Sequence, residues 1–342
     1  HTLRSFSIAF REKSFDESSY ARAVARRLGT EHVEETLSES NLVDVVDQAL
    51  GHLDEPLADP AYLPQYLLSR LAARHVKVVL GGDGGDELWA GYPTYQAHRA
   101  APLYAALPRR LRERWIPNLA RRLPPRDRYA SLEWKVQRFS LRWDDDRVRR
   151  HLRWMSSTDL PALHDAIPGS RHTLPATLQQ PWTMDRDALN GILKLDFRTY
   201  LPGSVLTKVD RASMAHSLEV RPPLLDNEVV AWSFRVPGRY KLRGLTTKFL
   251  LKLAARGHVS DDVIDRPKKG FGIPLNRWLR GPLRPALDAV IRDSPAWDLG
   301  LLDRGVLSRW VSEHGDRLRD HSKPLWVLLV LDRWLRREGA RV

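Results

Sequence analysis

The sequence predicts an α/β fold, a parallel sheet flanked by helices and extended by a large helical region. Three observations carry this. Strand and helix patterns alternate over the first hundred residues. A compact apolar run, Val76-Lys77-Val78-Val79-Leu80, leads into a glycine-rich turn and a new helix. After about Gly91 the strand signals fade and helix-like stretches take over. Such alternation is what parallel sheets with crossover helices produce.

Taken in order, Arg4 to Phe10 reads as a short strand. Glu17 to Leu28 reads as a helix with Tyr20, Val24 and Leu28 on one face, stopped by Gly29. Glu31 to Glu35 is a second strand candidate, and Leu42 to Leu50 and Tyr62 to Ala73 read as helices. Ser5–Ala9 and Val76–Leu80 are expected in one parallel sheet, with a further helix starting near Asp86. Beyond it, Arg99 to Leu160 is helix-like and broken by prolines, and Asn190–Tyr200, Val205–Leu218 and Glu228–Phe234 read as helices. The last helix, Pro324 to Arg337, offers Trp326, Leu329, Val330 and Trp334 for burial.

Bulk composition narrows the function classes. The 342 residues hold no cysteine, so a disulfide, a thiolate metal site or a cysteine nucleophile is excluded within them. No apolar run approaches the roughly 18 residues of a membrane span. His1 to Arg4 carries no extended apolar region, so no secretory leader is expected, no membrane partner is expected, and the cytoplasm is the default compartment. Net charge is +13, and residues 99–153 concentrate it, with 16 Lys/Arg against 6 Asp/Glu. Amphipathic helices with solvated arginine faces account for this segment. A polyanion or protein docking face is the alternative.

Three segments carry chemistry. In Gly81-Gly82-Asp83-Gly84-Gly85-Asp86-Glu87 an apolar strand meets four glycines and opens a helix. Glycines let a backbone approach a ligand, N–H groups at a helix start hold anions, and the hard oxygens of Asp83 and Asp86 suit Mg²⁺. A tight turn with capping aspartates is the plainer reading. Lys208 to Asp226 embeds Asp210, Arg211, Glu219, Arg221 and Asp226 in a helical pattern, which points to a structural network of paired charges. Asp265 to Leu275 sets Lys268 and Lys269 beside Gly, Phe and Pro, in a chain with eleven lysines. A lysine framed in this way can reach phosphate oxygens, or can simply be a solvated basic turn.

In this order and spacing, the three segments resemble the synthetase domain of the asparagine synthetase (glutamine-hydrolysing) B-type family. Phe6–Phe10, Phe15–Ser18, Leu28–His32, Asp54–Pro60 and Tyr66–Arg70 match its other blocks, so the resemblance covers nearly the whole chain. It implies a sheet of the adenine nucleotide alpha-hydrolase-like (PP-loop ATP pyrophosphatase) type. One synthetase domain would span 1–342, with a nucleotide-binding part at 1–98 and a mainly helical part at 99–342. It also implies an ATP-dependent ligase that adenylates a small carboxylate, releases pyrophosphate and forms an amide with ammonia from an N-terminal glutaminase. ATP and Mg²⁺ would be the cofactors, and a homodimer is compatible with the family. By position, Ile8, Gly81 and Gly82 would contact adenosine, Asp86 would bind Mg²⁺–pyrophosphate, Asp83 would serve acyl-adenylate formation or use, and Lys268 would stabilise phosphate charge.

Departures from the pattern shape the expectation. The family's first phosphate loop, Ser-Gly-Gly-x-Asp-Ser, should lie just before Phe6, and its glutaminase earlier still. Neither is in these 342 residues, so the chain by itself is expected to be inactive. Gly81 replaces a usual serine, no acid stands near Ser204, and Pro56 to Pro64 replaces a stretch that some members use for aspartate. The acceptor is therefore aspartate or a related acid. The competing expectation is a basic RNA-binding or scaffold protein relying on residues 99–153.

Overall fold

In the computed structural model, Arg4–Phe10 forms strand β1 and Glu31–Leu37 forms strand β2, paired in parallel from Arg4 opposite Glu31 to Phe10 opposite Leu37. The structure describes residues 2–37, 42–123, 132–157, 160–169, 187–266 and 270–339. The helix Ser18–Leu28 makes the crossover between the two strands. It ends at Gly29, whose φ of 66° turns the chain back at no steric cost. A second parallel pair joins β3, Val78–Leu80, to β4, Glu219–Arg221, with Val79 opposite Val220.

Two expectations change here. Val205–Leu218 is not one helix. A π-helical turn, Leu201–Leu206, leads into the helix Thr207–Met214, and Ser217 takes a left-handed φ of 52° before the chain enters β4. Three residues are too few for a legible alternation, so β4 left no sequence signal. The second change concerns the sheet: β1 and β3 are both strands, but they lie in two separate two-stranded ladders. A parallel sheet joins only through shared edges, and the described residues supply no strand that pairs with both.

The chain divides into two compact units that interleave in sequence. The first comprises His1–Ser40, Ala61–Ala100 and Trp182–Ile273. Within it, helix Tyr62–Ala73 packs on β1 and on helix Thr207–Met214, burying Tyr62, Leu63, Tyr66 and Leu67. The Tyr66 ring lies 4.4 Å from that of His216. A second core gathers Leu88, Trp89 and Val236, and a third gathers Ala90, Tyr95, Ile192, Leu193 and Leu242. These two cores hold the short helix Gly85–Trp89 from its buried side.

The second unit comprises Asn41–Pro60, Ala101–Pro181 and Pro274–Val342. Its axis is the helix Ser322–Glu338, which buries Leu325, Trp326, Leu328, Leu329, Val330 and Leu335. Trp334 is only partly buried, and its indole N–H donates to the Asp54 carbonyl at 3.0 Å. Asp332 is fully buried and accepts from Arg336 at 2.9 Å, which keeps the charge paired. Arg99, Arg109, Arg110, Arg114, Arg121, Arg122, Arg147 and Arg149 are exposed, as expected of solvated faces, whereas Arg138, Arg142 and Arg150 are at least partly buried. Arg138 and Arg142 donate to the Ser156 carbonyl at 2.8 and 2.6 Å, and Arg150 donates to the Asp144 carbonyl at 2.7 Å while stacking over Trp143. Ser156 is the C-cap of the helix Arg147–Met155, so Arg138 and Arg142 satisfy a backbone oxygen that a helix end leaves open. Among the described residues no helix is long and apolar enough to cross a membrane.

Candidate active site

Strand β3 delivers the chain to Gly81, whose N–H donates to the Arg221 carbonyl at 2.9 Å and so extends the β3–β4 ladder by one residue. The backbone then turns through Gly84 at φ 83° and enters the helix Gly85–Trp89. This places the loop beyond the carboxyl end of a parallel strand, where ligands of open α/β sheets collect. Space around the glycines differs. A Cβ on Gly82 would meet nothing within 4 Å, so this residue borders open space. A Cβ on Gly84 would fall 2.2 Å from Leu225 Cδ2, so that glycine is required by packing.

The two loop aspartates have different surroundings. A Cβ at Gly81 would lie 2.8 Å from Asp83 Oδ2, so the missing side chain at 81 makes room for this carboxylate to fold back. Burial pushes the Asp83 pKa up, Lys208 opposes that, and Asp86 adds to it. Asp86 is held by Lys248, whose Nζ lies 2.9 Å from Oδ1. Behind them Glu87 is 1% exposed and accepts from the Tyr92 hydroxyl at 2.5 Å. Burial pushes the Glu87 carboxyl up, and the tyrosine hydrogen bond offsets part of this. Tyr95 donates in turn to buried Asp196 at 2.5 Å, and the Tyr92 and Tyr95 rings are 5.8 Å apart. The loop thus rests on a buried carboxyl–tyrosine layer, with two lysines on its carboxylates.

Asp83 offers a direct test of this electrostatic arrangement. Its raised pKa means the folded state binds the proton more tightly than the unfolded chain. The resulting stability is full below the unfolded carboxylate pKa and is lost as pH rises through the folded value. Asp83→Asn, which cannot ionise, is therefore expected to melt above the parent chain at neutral pH. The gap should close as pH falls into the ordinary carboxylate range. Thermal melts from pH 4 to 8 check this, and equal melting at neutral pH would contradict it.

The remaining expected residues are placed as follows. Ile8 is buried in β1, opposite Glu35 in the ladder. Lys268 and Lys269 lie outside the described residues. The charges of 208–226 do not form a buried network: Arg211 pairs with adjacent Asp210, and Arg221 with Glu219 at 2.6 Å, all partly exposed. Asp226 caps the helix Asn227–Ser233 by accepting from the Glu228 N–H. Sequence reasoning assigned no role to Lys208 and missed Lys248 altogether. Lys248 follows two threonines at a helix start, a pattern with no chemistry of its own.

A divalent cation fits this loop on restricted terms. Among the described residues no group of three or more His, Asp or Glu could hold a metal ion by itself. Asp86 presents one carboxylate with an oxygen already on Lys248. That donor set suits Mg²⁺ arriving with phosphate oxygens and water, the usual way this ion is bound.

Comparison with known proteins adds an independent line. Residues 1–336 match the family described as Asparagine synthase. The chain is 34% identical over 337 residues to a Mycobacterium tuberculosis (strain H37Rv) protein provisionally named asparagine synthetase (glutamine-hydrolyzing), covering 97% of this chain and 50% of that protein. It is 27% identical over 333 residues to asparagine synthetase (glutamine-hydrolyzing) 1 of Bacillus subtilis (strain 168), covering 97% and 52%. Similarity at 24% identity, covering 88% and 48%, extends to the amidase chyE of Penicillium rubens. The chain thus spans about half the length of these relatives.

Proposed function

Because the chain belongs to the asparagine synthase family, we propose that it is the synthetase half of an ATP-dependent amide ligase. A substrate carboxylate oxygen attacks the α-phosphorus of ATP, and the bond to pyrophosphate breaks. Ammonia then attacks the acyl carbon of the adenylate, AMP leaves, and one proton must be removed from nitrogen. The single observation that carries this reading is the loop Gly81–Glu87. It combines open backbone at Gly82, a partly buried carboxylate of raised pKa at Asp83 and a lysine-held carboxylate at Asp86.

Each residue has a task. Gly81 and Gly82 give the adenosine end close access to backbone, with Ile8 an apolar contact. Asp83, whose pKa lies nearer neutrality than an ordinary aspartate's, is suited to take the proton that nitrogen loses once ammonia has attacked. Asp86 would hold the cation that accompanies pyrophosphate, and Lys268 would supply positive charge to the phosphates. The cation supplies charge neutralisation on phosphate oxygens. The acceptor is aspartate or a related carboxylic acid, and the likeness to a fungal amidase keeps that choice broad.

The separate ladders support a sheet of the PP-loop type that is completed by one more parallel strand. Such a strand would carry the first phosphate loop and pair with both β1 and β3. Val78 and Leu80 of β3 are 41% and 74% exposed, unusual for the apolar strand of a parallel sheet. The test is ATP–pyrophosphate exchange with a panel of carboxylic acids. The 342-residue chain is expected to show little or none. The same chain extended upstream by a strand and Ser-Gly-Gly-x-Asp-Ser loop should exchange in a carboxylate-dependent way. Exchange by neither protein with any acid would contradict the reading. Robust exchange by the chain alone would show the first loop to be dispensable.

A further inference from the structure

We infer that Lys248 is a positioning residue that holds the Asp86 carboxylate and competes with a cation for it. The inference rests on the reading of Asp86 as the cation-holding residue. Lys248 stands where local rules disfavour it. It is the residue that precedes the helix Phe249–Ala255, and its side chain caps no backbone N–H there. Helix starts favour Ser, Thr, Asp or Asn and repel positive charge. Its φ of 51° and ψ of 35° lie in the left-handed region that a long L side chain rarely adopts. Local preference broken on two counts points to a function that tertiary structure enforces.

What enforces it is visible. The Lys248 backbone N–H donates to the Trp89 carbonyl at 3.1 Å, tying the residue to the end of the loop helix. Ala90, the next residue, is also left-handed at φ 57°. The Lys248 side chain then runs over Gly91. A Cβ there would lie 1.8 Å from Asp86 Oδ1 and 2.4 Å from Lys248 Cε, so only glycine leaves room for this pair. Gly85 closes the other side, its Cβ position 3.5 Å from Lys248 Nζ. Left-handed backbone at two non-glycine residues and a required glycine therefore converge on one ion pair.

The pair is not sealed. The Lys248 and Asp86 side chains are 24% and 20% exposed, so solutes can reach them. With Oδ1 paired to an ammonium at 2.9 Å, a cation approaching the Asp86 carboxylate meets the repulsion of a fixed positive charge. The loop should therefore bind a bare divalent ion poorly and accept one that arrives neutralised by phosphate. Lys248 thereby selects for the metal–nucleotide complex over the free ion, and keeps the Asp86 carboxylate in a single orientation until that complex arrives.

The test uses Mn²⁺ alone, titrated into the 342-residue chain and followed by the loss of its free electron paramagnetic resonance signal. Lys248→Gly and Lys248→Asn both remove the ammonium and both tolerate the left-handed backbone, so folding is preserved, as thermal melts would verify. Each is expected to bind Mn²⁺ roughly fivefold to tenfold tighter than the parent chain, because a competing charge is gone. Lys248→Arg should stay near the parent, and Asp86→Asn should bind more weakly. A purely structural lysine would leave Mn²⁺ affinity unchanged or lower it. If Asp86→Asn weakens Mn²⁺ binding but neither neutral Lys248 variant tightens it, this inference is wrong and the reading of Asp86 stands. If adding Asp86→Asn to Lys248→Asn leaves the tighter Mn²⁺ binding intact, the reading of Asp86 is wrong and the inference falls with it.

Discussion

Lys268→Ala, in a full-length ligase carrying this chain as its synthetase half, is expected to lower kcat by roughly 10²-fold or more, with a smaller change in KM for ATP. Charge on the triphosphate redistributes toward the departing pyrophosphate as the α-phosphorus is attacked. A lysine aimed at those oxygens gains more in the transition state than in the ground state. Its loss therefore shows in kcat rather than in binding. The frame around it is suited to such reach, with Pro267 before it and Gly270, Gly272 and Pro274 after it. Arg266 at its base pairs with Glu17 and lies over the Tyr20 ring, which ties the start of the segment to the helix Ser18–Leu28. Steady-state kinetics on Lys268→Ala and Lys268→Arg would check this. Unchanged kcat and KM in the alanine variant would make Lys268 a solvated surface residue. An unchanged kcat with a raised KM, and kcat/KM lowered by the same factor, would instead mark a residue that only binds ATP.

Gly84→Ala is expected to destabilise the first unit by about 2–5 kcal/mol, through strain and overpacking together. A residue at φ 83° is strained by any Cβ, and this Cβ would sit 2.2 Å from Leu225 Cδ2 and 2.6 Å from its Cγ. Leu225 packs against the core of Leu88, Trp89 and Val236, so it cannot simply swing into solvent. Denaturant unfolding would read the loss. Gly82→Ala is the internal control, since its Cβ would enter open space and should cost little stability. Leu225→Ala should partly restore Gly84→Ala, because the overlap disappears while the left-handed strain remains. If Gly84→Ala and Gly82→Ala unfold at the same denaturant concentration, the packing account of this loop is wrong.

The elements legible in the sequence are those whose signal is local. Gly29 announces a left-handed helix stop, the periodicity of Tyr20, Val24 and Leu28 announces the helix before it, and four glycines interleaved with two aspartates announce a candidate ligand loop. Each depends on a few neighbouring residues and on backbone sterics, so it survives without knowledge of the rest of the chain. Strand β4 was not legible: a three-residue strand owes its existence to Val78–Leu80, which is about 140 residues away in the chain. The same holds for Arg138, Arg142 and Arg150, whose carbonyl partners are set by the fold rather than by composition.

The site divides along the same line. Sequence alone was enough to single out Gly81, Gly82, Asp83 and Asp86, because they are contiguous and chemically unusual together. Only the tertiary structure brings the charge of Lys208 to bear on Asp83 and Lys248 to Asp86, and only it shows that Gly91 leaves room for the Lys248–Asp86 pair. Electrostatic partners act through space, over a few ångströms, whereas a motif is read along the chain. A lysine 162 residues from the carboxylate it holds carries no mark of that partnership in its own neighbourhood.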